Sequence, residues 1–273
     1  MKFVHNQKQI FIDAIMLEEL TKVKKRVLTK DLDWLAVIDG EEGVGKSVLA
    51  QQLASFLDPD FNLSKIVFNA NDFMNLIKSK TIKKGSAVVL DEAFSAANSR
   101  ASLTEVNRAM IGVATEMRQQ NLFIIMVLPT FFDLDKYFAL WRCRALFHVY
   151  FTNNYDRRYI AFPKNAKKLL YLNGKKKYSY AKPRSPFPPC QFFNTYTVDE
   201  LEYRKKKAEA FQKRVVSYRA QQWLAQRNAY IKHIIKNEGI TGTDAGKIPA
   251  QYGAPSLTSW TIGSILKQLE VDK

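Results

Sequence analysis

Between positions 157 and 198 this chain of 273 residues contains no aspartate or glutamate, while the same stretch carries ten lysines or arginines. A surface that only keeps a protein dissolved interleaves both signs. A run of one sign favours a polyanionic partner, with nucleic acid the first candidate. Cysteine is scarce as well. Cys143 and Cys190 stand alone, without metal spacing or pairing logic, which suits a reducing cytosol and argues against a disulfide framework. The three histidines are scattered and do not suggest a ligand set. No apolar run is long enough to cross a bilayer; the longest, residues 122–132, is broken by Pro129. The N-terminus offers only Lys2 and then mostly polar residues, which is not the pattern of a secretory signal. The expectation is a soluble, cytoplasmic protein (host cytoplasm if viral) of one or two domains.

What the chain does have begins at Gly40. Gly40, Glu41, Glu42, Gly43, Val44, Gly45, Lys46 and Ser47 spell G-x-x-x-x-G-K-[ST]. An apolar strand at 35–38 runs into this loop, and Val48, Leu49, Leu53, Phe56 and Leu57 follow at helical spacing. Glycines let backbone N–H groups curl around phosphate oxygens with no Cβ in the way. The helix N-terminus adds partial positive charge. Lys46 can reach the β- and γ-phosphates, and the Ser47 hydroxyl is placed to ligate Mg²⁺. The pattern predicts a site for a nucleoside triphosphate, with ATP and Mg²⁺ as the cofactors.

The rest of the first 160 residues alternates helix and strand. The pattern predicts a helix over 13–28, a strand over 65–69, and a helix over 71–78 capped by Asn71 or Asp72. The apolar strand 87–90 closes on Asp91 and Glu92. It would deliver Asp91 to hold Mg²⁺ through water, and Glu92 to polarise the attacking water. A helix over 103–120 leads to residues 122–128, whose continuous apolar run reads as a strand buried on both faces. That strand ends at Thr130, whose hydroxyl is expected near the γ-phosphate. A short helix over 131–140 and a strand over 145–151 follow. The fold class is α/β with a mostly parallel sheet, which resembles a RecA-like phosphate-loop fold.

The basic segment changes period. Residues 169–172, the pair Asn173-Gly174 and residues 175–180 read as a β-hairpin with a type I′ turn. Lys167, Lys168, Lys175, Lys176 and Lys177 are the expected DNA contacts, with Tyr171, Tyr178 and Tyr180 interleaved for stacking on bases. Residues 183–189 read as an extended linker. Residues 199–237 are charged and helical, and residues 243–269 have helix-turn-helix proportions that a plain helical bundle would share. Three parts are expected: an ATPase domain over 1–160, a basic hairpin and linker over 161–198, and a helical region over 199–273.

With the loop Gly40 to Ser47, the pair Asp91-Glu92, and Arg118-Gln119-Gln120 before the strand 122–128, residues 35–151 resemble the ATPases with an additional strand and a catalytic glutamate. Within that group the chain looks like the FtsK–HerA class of DNA-pumping motors, which includes zonular-occludens-toxin-like and viral packaging ATPases. It departs where that class usually ends the strand in Gln, since here Thr130 follows Pro129. The resemblance implies Mg²⁺-ATP, a homo-oligomeric ring, often of six subunits, and double-stranded DNA in its channel. Ring motors also supply an arginine from the neighbouring subunit. Arg118 is the favoured candidate here, beside Arg100, Arg142 and Arg144. Two readings follow: a DNA translocase or packaging motor of a mobile element or virus, and an ATP-dependent DNA-binding switch, such as a replication or partition factor, that needs no processive motion. A terminase-like nuclease is set aside, because the region after residue 160 is too poor in carboxylates for a two-metal site.

Overall fold

A computed structural model of the chain describes residues 2–79, 81–91 and 112–212, together with 223, 227 and 228. The chain divides into two compact units, Met1–Lys207 and Ala208–Lys273. In the second, the described residues are helical. The expected helix-turn-helix over 243–269 lies outside the described residues, as does most of the helix expected over 199–237.

The first unit opens on a hairpin, β1 (Lys2–His5) and β2 (Lys8–Phe11). Its turn residues Asn6 and Gln7 both have positive φ, at 47° and 62°, as a type I′ turn requires. α1 (Ala14–Thr29) starts at Asp13, whose side chain accepts from the Ile15 N–H, and it buries Met16, Leu20 and Val27 on one side. β3 (Trp34–Gly40), buried at every position, runs through the glycine loop into α2 (Lys46–Leu57). Then come β4 (Ile66–Val67), α3 (Ala70–Lys78), β5 (Ala87–Leu90), α4 (Ala114–Gln119) and β6 (Phe123–Val127). The cap of α3 is Asn69, whose side chain accepts from the Asp72 N–H, rather than Asn71 or Asp72. β7 (Cys143–Phe151), β8 (Arg157–Pro163), α5 (Lys164–Gly174) and β9 (Cys190–Gln191) complete the unit.

Seven strands form the main sheet in the order β4-β5-β6-β3-β7-β8-β9. The neighbours from β4 through β7 are parallel, and β8 is antiparallel to both β7 and β9. The five expected strands are all present and parallel, and their runs of Val, Ile and Phe are buried as a two-sided sheet demands. Parallel strands bring their C-terminal ends to one edge, where open α/β sheets bind ligands. The glycine loop, Asp91 and Thr130 all leave the sheet at that edge. Because β8 turns back from β7, pairing Phe151 with Arg157, the start of β8 lies there too.

Three further expectations are corrected. Residues 164–174 are a helix, followed by a 3₁₀ turn at Lys175–Lys177, so there is no hairpin about Asn173-Gly174. The buried positions explain it. Lys167, Leu170, Tyr171 and Gly174 recur at i, i+3, i+4 and i+7, one face of a helix. Lys167 is fully buried and donates to the carbonyls of Ala139 and Leu140, so it cannot meet a DNA phosphate. The helix expected over 131–140 is a 3₁₀ turn at Phe131–Asp133 and a π-helical stretch at Phe138–Arg142.

Candidate functional site

The loop between β3 and α2 is built by its glycines. A Cβ on Gly40 would stand 2.1 Å from the Val149 carbonyl oxygen of β7, and Gly40 has φ +139°. Only glycine fits there. Gly45, at φ +99°, is the N-cap of α2 and provides no side-chain cap. The first N–H groups of an α-helix have no acceptor within the helix, so those of α2 are open to an anion and the helix dipole favours one.

Lys46 lies folded over this loop. Its ammonium donates to the carbonyls of Gly40 at 2.6 Å and Glu41 at 2.7 Å. Burial holds its pKa below the usual lysine value, with Asp39, Glu42 and Asp91 opposing that shift. The next residue, Ser47, donates its hydroxyl to Asp91 Oδ1 at 3.0 Å, across 44 positions of sequence. Asp91 is 1 % exposed at the end of β5. A hydroxyl and a carboxylate at the mouth of a phosphate loop are hard oxygen donors. They suit Mg²⁺, which takes one or two protein ligands and completes its shell with phosphate oxygens and water. The arrangement fits the cofactors read from the motif. Glu92, the expected base, lies outside the described residues.

Thr130 follows β6 beside this loop, where the Pro129 carbonyl accepts from the Gly40 N–H at 3.3 Å. Its hydroxyl accepts from the Phe132 N–H and lies 3.1 Å from the Tyr180 hydroxyl. Tyr180 in turn donates to Asp39 Oδ2, which also accepts from the Phe131 N–H at 2.7 Å. The other Asp39 oxygen stands 2.9 Å from His148 Nδ1, and the His148 and Tyr180 rings stack at 3.7 Å. Burial, reinforced by the Asp39 carboxylate, raises the Tyr180 pKa far above the ordinary phenol value, so it remains a donor. Thr130 is thus joined through Tyr180 to the last residue of β3 before the loop. Nothing in the sequence pattern marks His148, and Asp39 is signalled only by its place directly before Gly40.

The candidate arginines part company. Arg118 is exposed at the end of α4, before the N-terminal end of β6, at the sheet edge opposite its own phosphate loop. Arg142 is paired with Asp33 at 2.6 Å. Arg144 lines a cavity of about 380 Å³ beside α1, with Met16, Arg26 and Phe187. Arg100 lies outside the described residues. An arginine that the sequence pattern does not mark, Arg157, lies against Gly45 instead, with Phe192 beside it.

Of the lysines expected on DNA, Lys175, Lys176 and Lys177 are exposed on the 3₁₀ turn. The Lys168 ammonium stands 3.8 Å from the centre of the Trp141 ring. Tyr171 is buried and donates to the Leu134 carbonyl, and the Tyr180 ring is stacked on His148, so neither offers a face for stacking on bases. Among the described residues no helix is long and apolar enough to cross a membrane.

No protein-family model and no curated protein matches the chain. Among solved structures, the chain is similar to the N-terminal domain of zonular occludens toxin from Neisseria meningitidis, at 18 % identity and a TM-score of 0.32, over 48 % of this chain and 84 % of that one. It is also similar to the flagellar accessory protein FlaH from Methanocaldococcus jannaschii, at 17 % identity and a TM-score of 0.28, over 52 % of this chain and 83 % of that one.

Proposed function

We propose that the chain is a Mg²⁺-dependent ATPase coupled to double-stranded DNA, a translocase or packaging motor of a mobile element or virus that works as a ring of its own copies. The observation that carries the ATPase reading is the Ser47–Asp91 hydrogen bond at 3.0 Å, with Lys46 folded over the loop between them. It is supported by β6 lying between β3 and β5, an added strand between the one that carries the phosphate loop and the one that carries the acid. In this reading the N–H groups at the start of α2 and the Lys46 ammonium hold the β- and γ-phosphates. Ser47 and Asp91 hold Mg²⁺, which when bound offsets charge on the phosphate oxygens. Glu92 takes the proton of the attacking water. Thr130 responds to the γ-phosphate and passes its loss through Tyr180 toward residues 175–180. Arg118, far from its own loop, acts on the site of a neighbouring copy. Lys175, Lys176 and Lys177 supply the DNA contact, a reading supported by their exposure and by the absence of acids from 157 to 198.

The test is the ATPase rate of the full chain with and without double-stranded DNA, beside Lys46→Ala. Turnover that DNA stimulates and Lys46→Ala abolishes supports the motor. Sequence-specific footprinting without stimulated turnover would favour the DNA-binding switch. Wild-type turnover in Lys46→Ala would sink the ATPase reading.

A further inference from the structure

The Asp91 carboxylate has two oxygens, and the phosphate-loop pattern accounts for one. Oδ1 accepts from Ser47, while Oδ2 accepts from the hydroxyl of Tyr203, 112 positions further along the chain. Tyr203 is 3 % exposed, with its ring 6.0 Å from Phe68 and 5.6 Å from Tyr196, centre to centre. It sits on the first turn of a helix whose start is fixed by Asp199, the side chain of which accepts from the Glu202 N–H at 2.8 Å.

The segment that carries it is a strap from β9 to Lys207, and it is tied down on both sides of Tyr203. Before it, the Gln52 amide of α2 donates to the carbonyls of Phe193 and Thr195 at 2.7 and 2.9 Å. Lys8 of β2 donates to those of Tyr196 and Val198 at 3.1 and 3.0 Å, and Asn6 to that of Thr197 at 3.2 Å. After it, Lys206 donates to the carbonyls of Leu63 and Ile66 at 2.9 and 2.6 Å. These ties fix where the phenol points.

We propose that Tyr203 is a positioning residue for the metal ligand Asp91, a part of the Mg²⁺ site supplied by the strap rather than by the phosphate-loop motif. The proposal rests on the Mg²⁺-ATP reading above. A carboxylate with both oxygens held cannot rotate about its Cβ–Cγ bond, so Oδ1 keeps facing Ser47. A buried carboxylate oxygen also needs a donor, and Tyr203 supplies one without adding a charge. Groups that hold a metal ligand in place weaken metal affinity about 10- to 100-fold when removed.

The test uses the full chain and a fluorescent ATP analogue, titrated with Mg²⁺ and, separately, in the presence of a chelator. Tyr203→Phe keeps the ring and its packing and removes only the hydroxyl. The expected result is a Mg²⁺ dependence shifted about 10- to 100-fold to higher concentration, with analogue binding in chelator unchanged. A purely structural tyrosine gives instead a lower unfolding midpoint and an unaltered Mg²⁺ titration, and that outcome overturns the proposal. If the wild-type chain binds the analogue with no Mg²⁺ dependence at all, the reading beneath it fails first, and the two failures are told apart by the wild-type curve alone.

Discussion

The Arg157 side chain lies against Gly45, its Cδ and Nε 3.1 and 3.2 Å from where a β-carbon on that glycine would stand. Its Nε is buried without a hydrogen-bond partner, and its guanidinium forms no ion pair among the described residues. The guanidinium carbon is 5.5 Å from the centre of the Phe151 ring. A guanidinium with no ion pair among the described residues, set beside a phosphate loop, is suited to hold an anion.

Arg157→Ala is therefore expected to weaken ATP binding about tenfold, the worth of about one charge-assisted hydrogen bond. Arg157→Lys should recover part of it. Gly45→Ala is the stricter test, since its methyl would press on Arg157 and Phe192 at a φ that L-residues rarely adopt. Titration of both variants with ATP checks this, and wild-type affinity in Arg157→Ala would return Arg157 to a packing role.

Glu92→Gln should separate binding from chemistry. Without a base the water is not activated, so turnover should fall about 10²- to 10⁴-fold while ATP remains bound. Single-turnover hydrolysis beside nucleotide binding measures the split. A Glu92→Gln chain with wild-type turnover would mean that another group is the base.

Lys167 should leave a mark on stability against pH. Burial, with Lys168, Arg144 and Lys164 adding to it against the pull of Cys143, lowers its pKa from 10.5 to about 8. Between those values the unfolded chain holds the proton and the folded one does not, so stability rises with pH over the window about 8 to 10.5. Across 1.5 pH units inside that window the gain is about 2 kcal/mol. Burial holds the Cys143 and Cys190 thiols up at about 11, so they take stability away as pH rises over the same range. The gain is therefore read as the difference between the wild type and Lys167→Met in urea unfolding at pH 8 and pH 9.5. Parallel slopes in the two proteins would exclude a lowered Lys167 pKa.

The three exposed lysines carry the DNA prediction. Changing Lys175, Lys176 and Lys177 to Ala should reduce the slope of log affinity against log salt by about 0.9 for each phosphate that a lysine no longer neutralises. Unrelated DNA sequences should weaken alike, because phosphates carry no base information. An unchanged slope would place the DNA interface elsewhere on the chain.

The parts of this site that could be read from sequence are those whose chemistry is local. Eight consecutive residues from Gly40 fix a loop, because its backbone geometry is set by its own glycines. Asp91 could be found because an apolar strand ending in an acid, in a β/α alternation, has one place to go. The type I′ turn at Asn6-Gln7 escapes notice because no glycine marks it, while Asn173-Gly174 suggests a turn that the helical spacing of Lys167, Leu170 and Tyr171 overrides. β8 is hidden by its two leading arginines, although Tyr159 and Ala161 alternate inward as a strand should. Arg157 meets its partner through the sheet order and Tyr203 through the ties of the strap, and no spacing in the sequence announces either.

The strap that carries Tyr203 also sets a schedule for synthesis. A ribosome adds about 5–20 residues each second, so the 112 positions from Asp91 to Tyr203 take roughly 5–20 s to emerge. When Asp91 emerges, β6, which lies between the strand of the glycine loop and that of Asp91, is still to be made, and until Tyr203 follows one oxygen of the carboxylate has no phenol to hold it. Ser47 and Asp91 are thus made long before the phenol that shares the carboxylate with Ser47. Completion of the site is deferred until the first unit is nearly made, just as the chain begins to extrude the second.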